Sequence, residues 1–175
     1  GFQFTGSGGE ILAECFKAAG IEYIFDVNST GQTPFYDALS TRPELKMIVA
    51  LQEGQATAMA QGYELASGKT PALFIPSIGT PNALSNLYNA WKDRSAIAVF
   101  SDGSSFLTEG RDGFQQVDDW LAPTEQFTKW RWQLKNPDRI GEMTRRVIKL
   151  AGTMPGGPVY LRIPANVLSA RDVTQ

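Results

Sequence analysis

The chain has 175 residues and a formal net charge of −2, and 42% of its residues are hydrophobic while 19% are charged. These values are typical of one folded globular domain, and without a basic cluster they indicate no nucleic-acid or membrane-surface partner. The sequence contains no histidine, which excludes Ser-His-Asp and Cys-His catalytic groups and His-based zinc sites within this chain.

The single cysteine, Cys15, has no partner for a disulfide within the chain. Its position on an apolar helix face favours a small buried core residue over a reactive thiol. A lone cysteine suits a reducing compartment, so we expect a cytoplasmic protein. No apolar run approaches the ~20 residues of a membrane-spanning helix, and we expect neither such a helix nor a signal peptide.

In chain order, helical and strand patterns alternate along the whole sequence. Ser7 is a capping residue for the first helix, which Gly20 ends, and Pro34 lies near the first turn of the second. Asn82 is the predicted N-cap of the fourth helix, and Asn136 is that of the last. The periodicity predicts helices over 7–20, 33–40, 53–66, 82–93, 114–121 and 136–152, and strands over 21–25, 45–51, 71–77, 95–101, 127–134 and 157–164.

Near-continuous apolar strands that alternate with amphipathic helices predict a doubly wound α/β fold. We expect about six strands in a mainly parallel sheet with helices on both faces, and the strand over 127–134 near a sheet edge. Residues 1–165 would form this domain, and 166–175 read as the start of a linker or C-terminal tail. Because ligands of such sheets bind beyond the carboxyl ends of the strands, the candidate site consists of the loops 26–32, 52–55, 75–82 and 101–115.

Among the polar residues of these loops, Glu53 is the carboxylate placed at both a strand end and a helix N-terminus. One interpretation is that the helix dipole stabilises a glutamate in the first turn by a few tenths to ~1 kcal/mol. The other is a ligand site, because the neutral amides of Gln52 and Gln55 flank Glu53 and small residues follow it. These small residues, which would let another backbone or a flat ligand come close, are Ala56, Ala58, Ala60 and Gly62.

The stretch FSDGSS places Asp102 directly after a strand, in an arrangement that resembles a magnesium–diphosphate site. Such a site needs a second oxygen ligand from an asparagine further along the chain, but none occurs between Asn89 and Asn136. An ordinary turn is therefore favoured, and we predict no metal site in this chain. No phosphate-binding loop or dinucleotide-binding fingerprint is present either.

Five segments follow one another in the order and register of a known family: AAGIEYIFDV, IVALQEGQATAMAQGYELASGKTP, GTPNALSNLYNAWKDRSAIAVFSDG, GRDGFQQVD and PGGPVYLRIPANV. The chain resembles the N-terminal pyrimidine-binding (PYR) domain of thiamine-diphosphate enzymes. The resemblance is to the branch of acetolactate synthase, benzoylformate decarboxylase and benzaldehyde lyase, and it covers essentially all 175 residues.

The resemblance implies a catalytic role for Glu53. In this family, a glutamate at the end of the second strand hydrogen-bonds N1′ of the aminopyrimidine ring. It thereby favours the 4′-imino tautomer, whose nitrogen removes the proton from C2 of the thiazolium. A carboxylate at a buried position is suited to sharing such a proton. The base is then the cofactor's own amine, which agrees with a chain that has no histidine.

The resemblance also implies the other members of the site and the partners. Asn28, Gly79 and Asn82 would lie with Glu53 on the cofactor side, and Ser29, Gln52 and Gln115 would lie on the substrate side. Thiamine diphosphate is the implied cofactor, and Mg²⁺ would be held by a diphosphate-binding (PP) domain or subunit, not by this chain. A homo-oligomer and a small carbonyl substrate are implied as further partners.

Three segments depart from the family pattern. The usual Val-Pro-Gly-Gly turn is 27–30 here, the usual His-Glu pair is Gln52-Glu53, and the usual Ser-Gly-Pro-Gly loop is 76–79. Three functions therefore remain open. The first is the PYR domain of a lyase or carboligase acting on 2-oxo acids or 2-hydroxy carbonyl compounds. The second is a degenerate PYR domain that serves assembly or regulation, and the third is a stand-alone binding domain.

Overall fold

The structure, a computed structural model, describes residues 3–175 and is built around a six-stranded sheet. In spatial order its strands are β3 (Lys46–Val49), β2 (Tyr23–Asp26), β4 (Ala72–Ile75), β5 (Ala98–Ser101), β7 (Val159–Arg162) and β6 (Arg131–Gln133), and every neighbouring pair is parallel. The predicted doubly wound α/β fold is confirmed, and the strand predicted at an edge, β6, is an edge strand. Outside this sheet lie the strands β1 (Thr5–Gly6) and β8 (Val173–Thr174).

Helices cover both faces of this sheet, and each face has its own apolar core. Core residues of α1 (Gly8–Ala18), α2 (Thr33–Leu39) and α5 (Ile140–Gly152) cluster on one face, and those of α3 (Glu53–Ser67) and α4 (Thr80–Lys92) cluster on the other. The fully buried strand β4 contributes side chains to both cores, because Phe74 packs in the first cluster while its neighbours Leu73 and Ile75 pack in the second. A short helix, α6 (Ala165–Leu168), follows β7.

The N-terminus of α1 is a capping box, as the sequence predicts. The backbone N–H of Glu10 donates to Ser7 Oγ at 3.2 Å, and the backbone N–H of Ser7 donates to Glu10 Oε2 at 2.7 Å. Two backbone donors that the helix itself leaves unsatisfied therefore have partners.

Replacing Ser7 with alanine is expected to lower the free energy of unfolding by about 1 kcal/mol, because one of these two bonds is lost. Urea denaturation measures this change. The Ser7→Thr variant keeps the hydroxyl and should lose much less. Equal stabilities of Ser7→Ala and the unsubstituted chain would show that the cap contributes nothing.

One predicted helix boundary and one predicted helix are wrong. Asn82 is not an N-cap, because α4 begins at Thr80 with Pro81 in its first turn, and proline is pre-organised for that position. No helix forms over 114–121, because Asp112 and Gln115 have φ values of 51° and 65°, which an α-helix cannot contain. Asn136 does act as a cap, but of a single 3₁₀ turn over Pro137–Arg139 that precedes α5.

Residues 165–175 pack against the domain. Val167 and Leu168 of α6 are buried, and so is Val173 of β8. Strand β8 pairs antiparallel with β1, with Thr5 opposite Thr174. That this segment leads into a linker stays a prediction. Among residues 3–175, no helix is long and apolar enough to cross a membrane.

Candidate active site

The strand order reverses between β2 and β4, since the chain adds β3 on one side of β2 and then β4 on the other. In open α/β sheets such a reversal leaves a crevice at the carboxyl ends of the strands. Backbone hydrogen bonds hold the strand ends together there: Ala50 N–H donates to Asp26 O at 2.8 Å, and Val27 N–H donates to Phe74 O at 3.1 Å. The loops after β2, β3 and β4 therefore emerge side by side.

Glu53, the first residue of α3, lies at this edge and is only 9% exposed. Its Oε2 accepts a hydrogen bond from Asn82 Nδ2 at 3.0 Å. Its Oε1 lies against the Cα of Gly79, where a Cβ atom would overlap the carboxylate. Within residues 3–175, Oε1 accepts no hydrogen bond. The structure thus brings together Glu53, Gly79 and Asn82, with one carboxylate oxygen fixed and the other free.

Gln52 is the N-cap of α3. Its Oε1 accepts a hydrogen bond from the backbone N–H of Gln55 at 3.0 Å, and its side chain is exposed. Because the amide oxygen is used for capping, its NH₂ group is left free to donate. Glu53 and Gln52 both lie at the N-terminus of α3. The interpretation that Glu53 complements the helix dipole is therefore compatible with this geometry.

The small residues after Glu53 fall on two different faces of α3. Ala56 and Ala60 are fully buried in the domain's own core beside β4. Ala58 and Gly62 are exposed, and nothing lies within 4 Å of a Cβ placed on Gly62. Only the second pair is available to another molecule, so half of the small-residue pattern is explained by packing within the domain.

The loop 27–32 after β2 carries two of the predicted site residues. Asn28 is exposed, whereas the hydroxyl of Ser29 donates to Asp102 Oδ2 at 2.5 Å. Asp102, which follows β5, is 1% exposed. The structure therefore places Asp102 beneath this loop, and the sequence interpretation of an ordinary turn misses that contact.

A second buried acid, Asp26, lies at the end of β2 and was not predicted as a site residue. Tyr36 Oη lies 3.2 Å from Asp26 Oδ2 and 2.5 Å from Gln32 Oε1. A hydroxyl has one hydrogen and cannot donate to both acceptors fully. Burial raises the pKa of Asp26 to about 7, although the hydrogen bond from Tyr36 acts in the opposite direction and the charge of Asp102 adds to the rise. Protonated Asp26 satisfies the cluster, because it can donate to Tyr36 Oη.

This raised pKa predicts how stability depends on pH. The folded chain keeps the Asp26 proton up to about pH 7, whereas the ordinary pKa is 3.8. The stabilisation from Asp26 is therefore complete below the ordinary value and is lost as the pH rises to about 7. The melting temperature of the unsubstituted chain should fall relative to that of Asp26→Asn between pH 4 and 7. Parallel melting curves would contradict this, and Asp37→Asn, at an exposed position, is the control.

Gln115 lies in the irregular segment between β5 and β6. Its carbonyl accepts a hydrogen bond from Trp120 Nε1 at 3.0 Å, and its φ is 65°. Within residues 3–175, the structure shows no hydrogen bond between Gln115 and the cluster around Glu53. Its substrate-side role stays a prediction.

Glu53 is nearly buried and lies outside three clefts on the surface of the domain. Within residues 3–175, these clefts have volumes of about 590, 580 and 560 Å³, and Glu53 lines none of them. The free Oε1 of Glu53, opposite a glycine, is suited to accept a hydrogen from a flat heterocycle, so the residues present fit the aminopyrimidine ring. In the same part of the chain, no group of three or more acids or cysteines could hold a metal ion.

The family model for the thiamine pyrophosphate enzyme, N-terminal TPP binding domain, matches residues 6–122. The chain belongs to this family. An acetolactate synthase large subunit from Lactococcus lactis subsp. lactis (strain IL1403) is 31% identical to this TPP-binding domain over 170 residues, which are 97% of this chain and 29% of that protein. The mitochondrial acetolactate synthase catalytic subunit of Aspergillus candidus is 30% identical over 165 residues, 92% of this chain and 23% of its own length.

Among solved structures, the Rhodococcus jostii RHA1 thiamine diphosphate-dependent 4-hydroxybenzoylformate decarboxylase has the same fold as this TPP-binding domain. The TM-score is 0.88 at 22% identity, over 94% of this chain and 31% of that one. The chain therefore spans less than a third of the length of each of these three proteins. The sequence resemblance to thiamine-diphosphate enzymes is confirmed.

Proposed function

We propose that the chain is the PYR domain of a thiamine-diphosphate-dependent lyase or carboligase, in which Glu53 activates the cofactor through N1′ of the aminopyrimidine. The observation that carries this proposal is the geometry of the Glu53 carboxylate. Asn82 holds one oxygen at 3.0 Å, and the other oxygen is free beside Gly79. A carboxylate that is oriented and has one free oxygen can hold a proton at a ring nitrogen.

In the bound state, thiamine diphosphate supplies the electron sink for breaking or forming a bond beside a carbonyl carbon. The chain's own residues orient the ring and control its protonation. Asn82 keeps the Glu53 carboxylate in place, and Gly79 leaves room for that carboxylate beside the backbone. Asn28, on the adjacent loop, would help to hold the cofactor. Glu53 holds the proton at N1′.

The proposed substrate is a 2-oxo acid or a 2-hydroxy carbonyl compound. The support comes from relatives whose names are acetolactate synthase and from the fold of a 4-hydroxybenzoylformate decarboxylase. Gln52 has a free NH₂ group beside Glu53 that could donate to a carboxylate or carbonyl oxygen. Ser29 and Gln115 are the other residues that we assign to the substrate side.

The proposed partner is a PP domain or subunit that holds the diphosphate and Mg²⁺ over this face, within a homo-oligomer in the cytoplasm. The exposed apolar side chains around Glu53 support a covered surface. Leu51 is 94% exposed, Ile78 is 46% exposed and Met59 is 40% exposed. All three lie in or next to segments that carry site residues, and exposed apolar patches are typical of interaction surfaces.

A degenerate PYR domain that serves assembly or regulation is the second candidate. The departures from the family pattern over 28–30 and 75–78 favour it. The arrangement of Glu53 with Gly79 and Asn82 favours catalysis, because an assembly surface has no need of a glycine opposite a free carboxylate oxygen.

The experiment that separates the two functions is Glu53→Gln in the complete assembly with thiamine diphosphate and Mg²⁺. Strongly reduced turnover by a folded variant supports the catalytic proposal. Unchanged turnover contradicts it, and absence of turnover in the unsubstituted assembly with every 2-oxo acid tested favours the module.

A further inference from the structure

The loop 27–32 lies at the cofactor edge of the sheet but lacks the proline and glycines of the family turn. In their place it has Asn28, Ser29 and Thr30. Three polar residues with free backbone dihedrals give a less stiff connection than a turn in which proline fixes φ. Some other feature must therefore hold this loop if Asn28 is to keep a defined position.

Side-chain contacts supply this rigidity. The hydroxyl of Ser29 donates to Asp102 Oδ2 at 2.5 Å, and its backbone N–H donates to Tyr36 Oη at 3.2 Å. Gln32 is fully buried, and its side-chain amide donates to Val27 O at 3.3 Å. Hydrogen bonds thus hold the loop at its two ends, Val27 and Gln32, and at Ser29 between them.

Asp102 is the contact that links this loop to the rest of the sheet. The loop lies so close to it that a Cβ on Gly31 would overlap Asp102 Oδ2. This explains the glycine there, and it shows that the carboxylate packs against the loop backbone as well as against Ser29.

Asp102 is itself held in a rigid setting. Its backbone N–H donates to Ile75 O at 3.3 Å, and its carbonyl accepts a hydrogen bond from the hydroxyl of Ser77. The buried guanidinium of Arg162 donates to Ser77 Oγ at 3.2 Å and to Gln133 Oε1 at 2.7 Å. Asp102 therefore connects the loop to β4, β6 and β7.

The second oxygen of Asp102, Oδ1, is buried without a hydrogen-bond partner in residues 3–175. Such exceptions are few in native proteins, and they call for a reason beyond packing. Asp102 leaves one buried oxygen without a partner, while its other oxygen holds Ser29. This indicates that the position of the loop matters.

We propose that Asp102 is a positioning residue, which through Ser29 holds the loop 27–32 in the orientation that lets Asn28 reach the cofactor. The part of this proposal that concerns cofactor binding rests on the proposed function, whereas the anchoring of the loop does not. In place of the stiffness of the family turn, the hydrogen bond that Ser29 donates to Asp102, which follows β5, holds the loop.

The first test measures the loop without cofactor. Hydrogen–deuterium exchange of the amides of 27–32 should become about tenfold faster in Asp102→Ala, since the hydrogen bond from Ser29 is lost. Ser29→Ala should also speed the exchange, and the double variant should exchange no faster than Asp102→Ala, because both substitutions remove the same hydrogen bond. Asp102→Asn keeps an acceptor oxygen and should restore slow exchange. Unchanged exchange in Ser29→Ala and Asp102→Ala overturns the proposal.

The second test measures the consequence in the complete assembly. Both alanine variants should raise the Kd for thiamine diphosphate about tenfold, and Asp102→Ala should leave kcat at saturating cofactor within about twofold. Asp93→Ala is the matched control, because Asp93 accepts a comparable hydrogen bond, from Gln61 at 2.7 Å, on another part of the domain. Faster loop exchange with an unchanged Kd overturns the positioning role.

Failure of this proposal and failure of the proposed function give different results. Glu53→Gln should lower turnover without changing exchange at 27–32. If Glu53→Gln leaves turnover unchanged, the proposed function fails whatever the loop does. If Asp102→Ala folds poorly, Ser29→Ala tests the same bond from the less buried side.

Discussion

Replacing Gly79 with alanine is expected to lower kcat by roughly 100-fold, which is the order of loss that follows when a catalytic group is displaced by about 1 Å. The added Cβ would overlap the carboxylate of Glu53. Because that carboxylate is the end of a flexible side chain, it can move aside at little cost in stability. We therefore expect a folded domain whose catalytic group is misplaced.

Gly62→Ala is the matched control for this glycine substitution. Gly62 lies within α3, and nothing is within 4 Å of the new Cβ. Alanine should raise the free energy of unfolding by about 0.5–1 kcal/mol, because glycine is a poor helix former. Its kcat should be unchanged. Steady-state kinetics and urea denaturation on both variants measure these effects, and equal kcat values for Gly79→Ala and Gly62→Ala would contradict the proposed geometry.

Glu53→Gln has the other large expected effect, a fall in kcat of about 10²- to 10⁴-fold, which is the range for removal of a general acid–base group. The glutamine keeps an oxygen that can accept the hydrogen bond from Asn82, so the side chain should stay in place. Loss of the favourable charge at the start of α3 should cost only about 0.3–1 kcal/mol of stability. The change in kcat is thus separable from a change in folding.

The control for this charge removal is Glu64→Gln on the same helix. Position 64 is eleven residues further along α3, about 16 Å at the helical rise. Glu64→Gln removes the same charge from the same helix and should leave kcat within about twofold of the unsubstituted value. A similar loss of turnover in both variants would indicate a general electrostatic effect and not a specific role of Glu53.

Much of the fold follows from local patterns. The six strands and their carboxyl-end loops could be predicted because each strand is a short apolar run between helical repeats. The position of Glu53 at a strand end and a helix start could be predicted for the same reason. The boundary error at Asn82 arose because two local signals competed, and the proline at position 81 determined where α4 begins.

The buried polar cluster could not be predicted, because its members come together only when distant strands pair. Asp26 is the last residue of β2 and Asp102 follows β5, and β4 lies between these two strands. Each looks like an ordinary turn residue in its own segment, and nothing local indicates that Ser29 reaches Asp102 or that Tyr36 lies beside Asp26. The one available signal was that both acids follow parallel strands, whose ends share one edge of the sheet.

The central claim is that Glu53 acts on the cofactor, and the most direct test is the exchange rate of the C2 proton of thiamine diphosphate bound to the complete assembly. Proton NMR after transfer into deuterated buffer measures this rate without any substrate. We predict that Glu53→Gln slows the exchange by at least about 100-fold, while Glu64→Gln leaves it unchanged. Equal exchange rates in Glu53→Gln and the unsubstituted assembly, both saturated with cofactor and Mg²⁺, would contradict the assignment.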